Sequence, residues 1–214
     1  MNLSKLTLNL KNRQVRNEIN SPYELHRTLT KAFVLNGVLE ENRILFRIES
    51  AKKMGFSAGK EVLVQSRTVE PDWRNLSIPD DYFLSPPQTK QIDLTKLDSG
   101  FYQFKLIANP TVKKNGRRVG LYSEDEHNEW LKRKGTQHGF EPVYINCSDF
   151  EIGSKTKTED PKNELKKSDI YHIGVTFEGI LKIIDSGKVI SSLHSGIGSA
   201  KAFGFGLLTI ARVG

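Results

Sequence analysis

An alternating apolar strand followed by a serine-capped helix and further strands occurs twice in these 214 residues, once on each side of a proline-rich stretch at 71–90. Each half closes on a last strand, which is the order of the βαββαβ unit. The sequence therefore predicts an α+β protein of two tandem ferredoxin-like (RRM-like) domains, residues 1–88 and 89–214. The length fits two such units. The second helix of the first unit is the least marked element, because the proline-rich segment carries little periodicity.

Leu6, Leu8 and Leu10 alternate with polar residues, so 3–10 reads as a half-buried strand and not as a secretion signal. Ser21-Pro22-Tyr23-Glu24 puts serine at an N-cap, proline at the first helical position and glutamate at the third. That is a capping box, and it predicts a helix over Pro22–Phe33 ended by Asn36-Gly37. Ile44, Phe46 and Ile48 mark a second strand, and Val62 and Val64 a third. Pro71, Pro79, Pro86 and Pro87 make 71–90 loop and linker.

In the second half 101–108 reads as a strand, and Asn109–Arg118 as a basic, turn-rich excursion. Ser123-Glu-Asp-Glu126 is a second capping box, opening a helix that carries Trp130 and Leu131 and ends near Gly139. Strands follow at 142–151 and 169–184, the latter broken by a turn at Gly179. A mobile loop is expected at 153–168, a short helix near Ser186–His194, and a final strand at Leu207–Val213.

Between that helix and strand lies Gly196-Ile-Gly-Ser-Ala-Lys-Ala-Phe-Gly-Phe-Gly206, two glycine pairs (Gly196, Gly198 and Gly204, Gly206) around Lys201. Glycine allows positive φ and close approach, successive N–H groups can form an anion site, and lysine adds a point charge suited to phosphate. The spacing is not that of a phosphate-binding P-loop. Nor is it a dinucleotide fingerprint, where the position of Lys201 would hold the third glycine. A glycine-rich strand entry without a ligand reads equally well from the glycines alone.

Thirty-two Lys and Arg against 25 acids give +7 and a pI near 9.4, a balance that favours a polyanionic partner. The positive clusters fall beyond residue 110: Lys113 and Lys114, Arg117 and Arg118, Lys132-Arg133-Lys134, Lys155 with Lys157, and Lys166-Lys167. No apolar run approaches the ~20 residues of a membrane helix. One cysteine, Cys147, permits no internal disulfide and points to a reducing cytoplasm.

On the first helix Leu25, Leu29, Ala32 and Phe33 form the buried stripe, and Tyr23, His26, Arg27 and Lys31 share one flank. The imidazole can give or take a proton near neutral pH, the phenol can hydrogen-bond a sugar or phosphate, and the cations can neutralise phosphate. His127 and His138 fall at the surface or end of the second helix. There is no metal-ligand spacing and no nucleophile elbow, so neither a metal nor another cofactor is expected.

Leu-Asn-Leu at 8–10, Ser-Pro-Tyr-Glu-Leu-His-Arg-Thr-Leu at 21–29, Val-Gln-Ser at 64–66, Glu-Pro-Asp-Trp at 70–73, Ala-Asn-Pro at 108–110 and the terminal glycine pattern occur in this order. Together they resemble the CasE family, the CRISPR-associated endoribonucleases of the type I-E Cascade complex. The resemblance implies two ferredoxin-like domains. It implies metal-independent cleavage of CRISPR repeat RNA at the base of a stem-loop, with the product kept by a Cascade subunit. The family's catalytic histidine and tyrosine fall on His26 and Tyr23, its glycine loop on Gly196–Gly206, and its basic hairpin on Lys113–Arg118. Its groove-reading loop falls on Ser154–Pro161, with lysines where arginine reads bases better.

The chemistry of the residues agrees with this. RNA carries its own nucleophile, the 2′-hydroxyl, and its cleavage to a 2′,3′-cyclic phosphate and a 5′-hydroxyl needs a base, an acid and cations at the phosphate. His26 and Tyr23 supply the first two, in either assignment, and Arg27 or Lys31 the third. A-form RNA is read by shape and backbone, which a basic C-terminal half fits. The competing expectation is a non-catalytic subunit that only holds an RNA hairpin, and a nucleotide-binding enzyme using the glycine loop is weaker. The isolated protein is expected to be a cytoplasmic monomer.

Overall fold

The computed structural model describes residues 1–35, 38–39, 44–49, 59–155 and 169–213. Its first half runs β1 (Asn2–Asn9), α1 (Arg13–Asn20), α2 (Pro22–Thr30), a 3₁₀ turn (Lys31–Phe33), β2 (Val34–Leu35), β3 (Val38–Leu39), β4 (Leu45–Ile48), β5 (Gly59–Ser66), a 3₁₀ turn (Trp73–Asn75) and β6 (Phe83–Gln91). The second half runs β7 (Gly100–Ala108), β8 (Thr111–Lys114), β9 (Arg117–Gly120), α3 (Glu124–His138), β10 (Phe140–Lys155), β11 (Asp169–Ile183), α4 (Ser186–Ser195), a 3₁₀ turn (Lys201–Phe203) and β12 (Leu208–Arg212). The protein is mixed α/β with two four-stranded antiparallel sheets, ordered β4-β5-β1-β6 and β10-β11-β7-β12. The opening strand of each half thus lies inside its sheet. β2–β3 and β8–β9 are separate two-stranded ribbons.

Period-two patterning decides what each sheet buries. Leu6 of β1 lies opposite Val62 of β5, and Val64 opposite Phe46 of β4, so these side chains share one face. They are buried with Val15 of α1 and Leu25 and Leu29 of α2. In the second sheet Leu106 lies opposite Phe177 and Tyr102 opposite Leu181, and this face buries Trp130 and Leu131 of α3 and Val189 and Leu193 of α4. Trp130 stacks on Phe177 at 5.8 Å and is 1% exposed, so truncating it to alanine costs about 3–5 kcal/mol.

Several elements differ from the sequence expectation. Residues 13–20 form α1, capped by the Asn12 side chain accepting from the Val15 N–H. Its inward face carries the buried Glu18, which accepts from Thr28 Oγ1 at 2.8 Å and from the Tyr82 hydroxyl, so no apolar stripe announces it. Ser21 accordingly joins two helices: its N–H donates to Glu18 O and its side chain makes no cap bond. The α-helix ends at Thr30 and tightens into the 3₁₀ turn, while the Asn36-Gly37 stop lies outside the described residues. The capping box at Ser123 forms as read, and the helix ends at Gly139 as expected, in a left-handed C-cap.

The segment expected to be loop up to residue 90 contains β6, and the 88/89 division falls within that strand. Among the described residues β6 pairs only with β1, and Pro86 and Pro87 sit at a register shift between Lys5 and Thr7. An edge strand with a bulge is where proline's missing N–H does least harm. Gly179 makes no turn. It takes φ +154° inside β11, where an added Cβ would lie 2.0 Å from Tyr144 O, beside the register shift between Pro142 and Tyr144. Of the expected 153–168 loop, residues 153–155 belong to β10 and the remainder lies outside the described residues.

The two sheets meet through buried polar groups. Arg47 of β4 is 2% exposed; its Nη1 donates to Lys105 O and Leu207 O, each at 3.1 Å, its Nη2 to Thr209 Oγ1 at 3.1 Å, and its Nε to Glu49 Oε1 at 2.8 Å. Lys105 bridges Glu49 at 3.0 Å and Glu178 at 2.8 Å. Burial works to raise the Glu49 pKa, but Arg47 and Lys105 outweigh it and hold the carboxyl below its ordinary range. Gln65 of β5 adds a bond from its Nε2 to Leu193 O. Breaking one partner of such a buried pair typically costs about 3–5 kcal/mol.

Candidate functional site

Burying Leu25 and Leu29 turns the opposite flank of α2 toward the loop before β12. Tyr23, 39% exposed, sets its ring 5.8 Å from that of Phe203. The half-buried His26 ring lies 5.9 Å from Phe46 of β4. Phe46 in turn abuts the loop, since a Cβ on Gly204 would lie 3.2 Å from it. Burial lowers the His26 pKa below its ordinary 6.5, so the imidazole is neutral at pH 7 and can accept a proton. Arg27 is exposed and its Nη1 binds Glu24 at 2.9 Å, an i,i+3 surface pair worth little and readily exchanged for another anion. Lys31 opens the 3₁₀ turn, exposed.

The four loop glycines all take positive φ. Two show why glycine is required. A Cβ on Gly196 would lie 2.8 Å from Leu45 of β4, and one on Gly206 would lie 2.8 Å from Ile197 O. The loop is closed by Ile197 N–H donating to Gly206 O, and anchored by Gly206 N–H donating to Ile107 O. The Gly196 N–H donates to Ser192 O and caps α4, and the Phe203 and Gly204 N–H groups close the 3₁₀ turn on Ala200 O and Lys201 O, so all five N–H groups are engaged within the protein. The stem of Lys201 lies along Gly196 and Gly206, in space that side chains there would occupy.

Cations converge beside this loop. The His138 pKa is lowered by burial, then by Lys134 and Lys201; that of Lys134 by burial, then by Arg133 and Arg118. The exposed residues Lys113, Lys114, Arg117 and Arg118 line the β8–β9 ribbon, whose Asn115-Gly116 turn has φ +48° and +79°, both left-handed as a two-residue type I′ hairpin needs. Lys113 lies directly opposite Arg118, and Lys114 opposite Arg117. Like charges facing across a ribbon repel, and an anion bound there relieves the repulsion.

Tyr23, His26, the glycine loop and Lys201 are therefore gathered at one seam between the sheets. Arg27 and Lys31 stay at its rim. The side chain of Lys155, at the end of β10, and all of Lys157 lie outside the described residues. His138 does sit at the end of α3, with Nδ1 2.7 Å from Ser192 Oγ. His127 does not lie on the helix surface. It is 3% exposed, with Nε2 2.9 Å from Leu121 O, because the apolar face of α3 is wide enough to include it. Sequence reasoning gave no role to Phe203, Arg47 or His172, and named Lys134 only as part of the cluster Lys132-Arg133-Lys134. The one signal was Arg47, a lone charge inside Ile44-Leu45-Phe46-Arg47-Ile48. Among the described residues no cluster of His, Cys, Asp or Glu could hold a metal ion, and no helix is long and apolar enough to cross a membrane.

A two-sheet α/β protein with a neutral imidazole, a phenol and converging cations at one seam is of the class that handles a polyanion with proton-transfer groups at hand. The chain belongs to the family of CRISPR-associated proteins, which it matches over residues 1–212. It is 32% identical over 222 residues to the CRISPR-associated endoribonuclease Cse3 of Thermus thermophilus, covering 98% of this chain and 99% of that protein. A solved structure of CRISPR endoribonuclease Cse3 bound to 19 nt RNA superposes with a TM-score of 0.84 at 31% identity, over 99% of this chain and 100% of that one. The CRISPR system Cascade subunit CasE of Escherichia coli is 29% identical over 146 residues, 58% of this chain and 64% of that protein.

Proposed function

We propose that this protein is an endoribonuclease that binds a CRISPR repeat stem-loop, cuts pre-crRNA at the base of the stem, and stays bound to its product as a cytoplasmic Cascade subunit. The observation that carries the reading is the flank of α2, which holds Tyr23 and a neutral His26 against a loop bearing Lys201, in a chain that matches an RNA-bound Cse3 along its whole length. Two tandem ferredoxin-like domains fit the twice-used strand order, the first giving up its second helix for the Trp73–Asn75 turn. The division between them lies where the chain leaves β6 after Gln91.

The reaction needs only the RNA and side chains of the protein. His26 takes the proton of the 2′-hydroxyl, and the 2′-oxygen bonds to the adjacent phosphorus. The bond from phosphorus to the 5′-oxygen breaks, and that oxygen takes a proton. The imidazolium formed in the attack and the Tyr23 hydroxyl are the donors on this flank. Charge building on the phosphate is met by Lys201, Arg27 and Lys31. The products are a 2′,3′-cyclic phosphate and a 5′-hydroxyl. Lys113, Lys114, Arg117 and Arg118, with Lys155 and Lys157, hold the stem backbone, so affinity falls steeply with salt.

The decisive experiment mixes a cognate hairpin with the protein in excess EDTA, with and without a 2′-deoxy substitution at the cut. One discrete cut, abolished by the deoxy substitution with binding kept, is expected; cutting that survives it overturns the mechanism. A second reading, a subunit that only holds the hairpin, is favoured by the ring packing of both Tyr23 and His26 on phenylalanines. It predicts binding without any cut.

A further inference from the structure

Beyond the seam, a cavity of about 480 Å³ opens between the glycine loop, the foot of the β8–β9 ribbon and β11. That volume is in the ~300–1,000 Å³ range of small-ligand sites. Its walls combine groups of different kinds. Tyr122 is 71% exposed, yet its backbone is fixed, because its N–H donates to Glu126 Oε2 at 3.0 Å. Arg118 brings a positive charge from the ribbon. Asn109, 6% exposed, has Nδ2 2.8 Å from His172 Nδ1. With Nδ1 accepting, the ring proton sits on His172 Nε2, which is buried and has no hydrogen-bond partner. Ala200, also in the wall, takes a left-handed φ of +57° although it is not glycine. A local backbone cost of this kind is found where a loop is shaped for a ligand.

Phe203 ties this cavity to the seam. Its ring lies 4.5 Å from His172, in the cavity wall, and 5.8 Å from Tyr23. An exposed aromatic platform and a cation are the means by which proteins take an unstacked base and its phosphate, and the Asn109–His172 bond fixes the wall beside them. A paired stem offers no free base face, so the occupant is an unpaired nucleotide.

We propose that this cavity is a binding subsite for one unpaired RNA nucleotide beside the cut, its base stacked on Tyr122 and its phosphate on Arg118. The proposal rests on the ribonuclease reading for its ligand. It adds a demand for a base in the unpaired segment flanking the stem, and it turns Arg118 at the foot of the ribbon from the stem toward that nucleotide.

The test uses the full-length protein and a cognate hairpin carrying a single abasic site at each unpaired position flanking the cut in turn. Both Kd and the single-turnover cleavage rate are measured. One position is expected to lose about tenfold or more, the usual scale of one stacked base. Tyr122→Ala is expected to lose as much on intact RNA and nothing further on that abasic RNA, and Tyr122→Trp to restore binding. The idea fails if every abasic RNA behaves as the intact one, or if the two losses multiply. It also fails if a free mononucleotide saturates the site while the abasic series is flat. Absence of cutting with binding intact would count against the nuclease reading alone, because the Kd series still reports on the subsite.

Discussion

Both four-stranded sheets use one strand order, yet they are furnished differently. The first carries α1 and α2 but no helix before its last strand, only the Trp73–Asn75 turn and an edge strand with two prolines. The second keeps α3 and α4 and inserts the β8–β9 ribbon after its opening strand. The first supplies a half-buried imidazole and an exposed phenol, each set against a phenylalanine ring. The second supplies the exposed charges and the glycine loop that reaches back to Leu45 and Phe46. Proton transfer needs a fixed, partly desolvated group, whereas holding a backbone of phosphates needs exposed cations. On the proposed function, these two demands fall on different copies of one scaffold.

That division can be broken one side at a time. His26→Ala should lower the single-turnover cleavage rate by about 10²–10⁴-fold while leaving hairpin affinity nearly unchanged. A matching loss of affinity would mean that the first sheet also grips the RNA. Arg47→Met removes the centre of the clasp between the sheets and should cost about 3 kcal/mol in denaturant unfolding, since Glu49 keeps only Lys105 and the acceptors on Lys105, Leu207 and Thr209 lose the guanidinium. An unchanged midpoint would show that the guanidinium adds nothing net to holding the sheets together.

Replacing Lys113, Lys114, Arg117 and Arg118 together by glutamine should weaken binding of every hairpin alike. It should also reduce the slope of log affinity against log salt by about 0.7–0.9 for each phosphate that is no longer neutralised. Cleavage of RNA once bound should persist. The pH profile sharpens the catalytic side. Because burial lowers the His26 pKa, its neutral form persists below 6.5, so the acidic limb of kcat/KM should lie below that value. A limb above 6.5 would contradict the base assignment. Glu24→Gln has the smallest expected effect, within about 0.5 kcal/mol of stability, because the Arg27 pair is exposed. Its use is to free Arg27, which should tighten RNA binding slightly.

Legibility in the sequence followed how local each cause was. The alternation of Leu6 and Leu8 and the box at Ser123 act within a few residues, so β1 and α3 could be read directly. α1 could not, because its inward position is Glu18, satisfied by Thr28 and by Tyr82, which lies 64 residues on. β6 was hidden by prolines that only its place at a sheet edge makes tolerable. Tyr23 and His26 were legible as neighbours on one helix flank. Phe203 and the Asn109–His172 pair, its members 63 positions apart in the chain, come together only when the second sheet closes. The glycines read as a cradle for an anion, while their nearest neighbours in the fold are Leu45, Trp130, Phe46 and Ile197.

Among the described residues the β8–β9 ribbon is hydrogen-bonded as a sheet to itself alone, through a two-residue turn. Its length and tip can therefore drift among relatives without disturbing any long strand or the cutting groups. The strength of the grip on a stem can thus be retuned by editing about ten consecutive residues, an exchangeable fingertip on an unchanged hand.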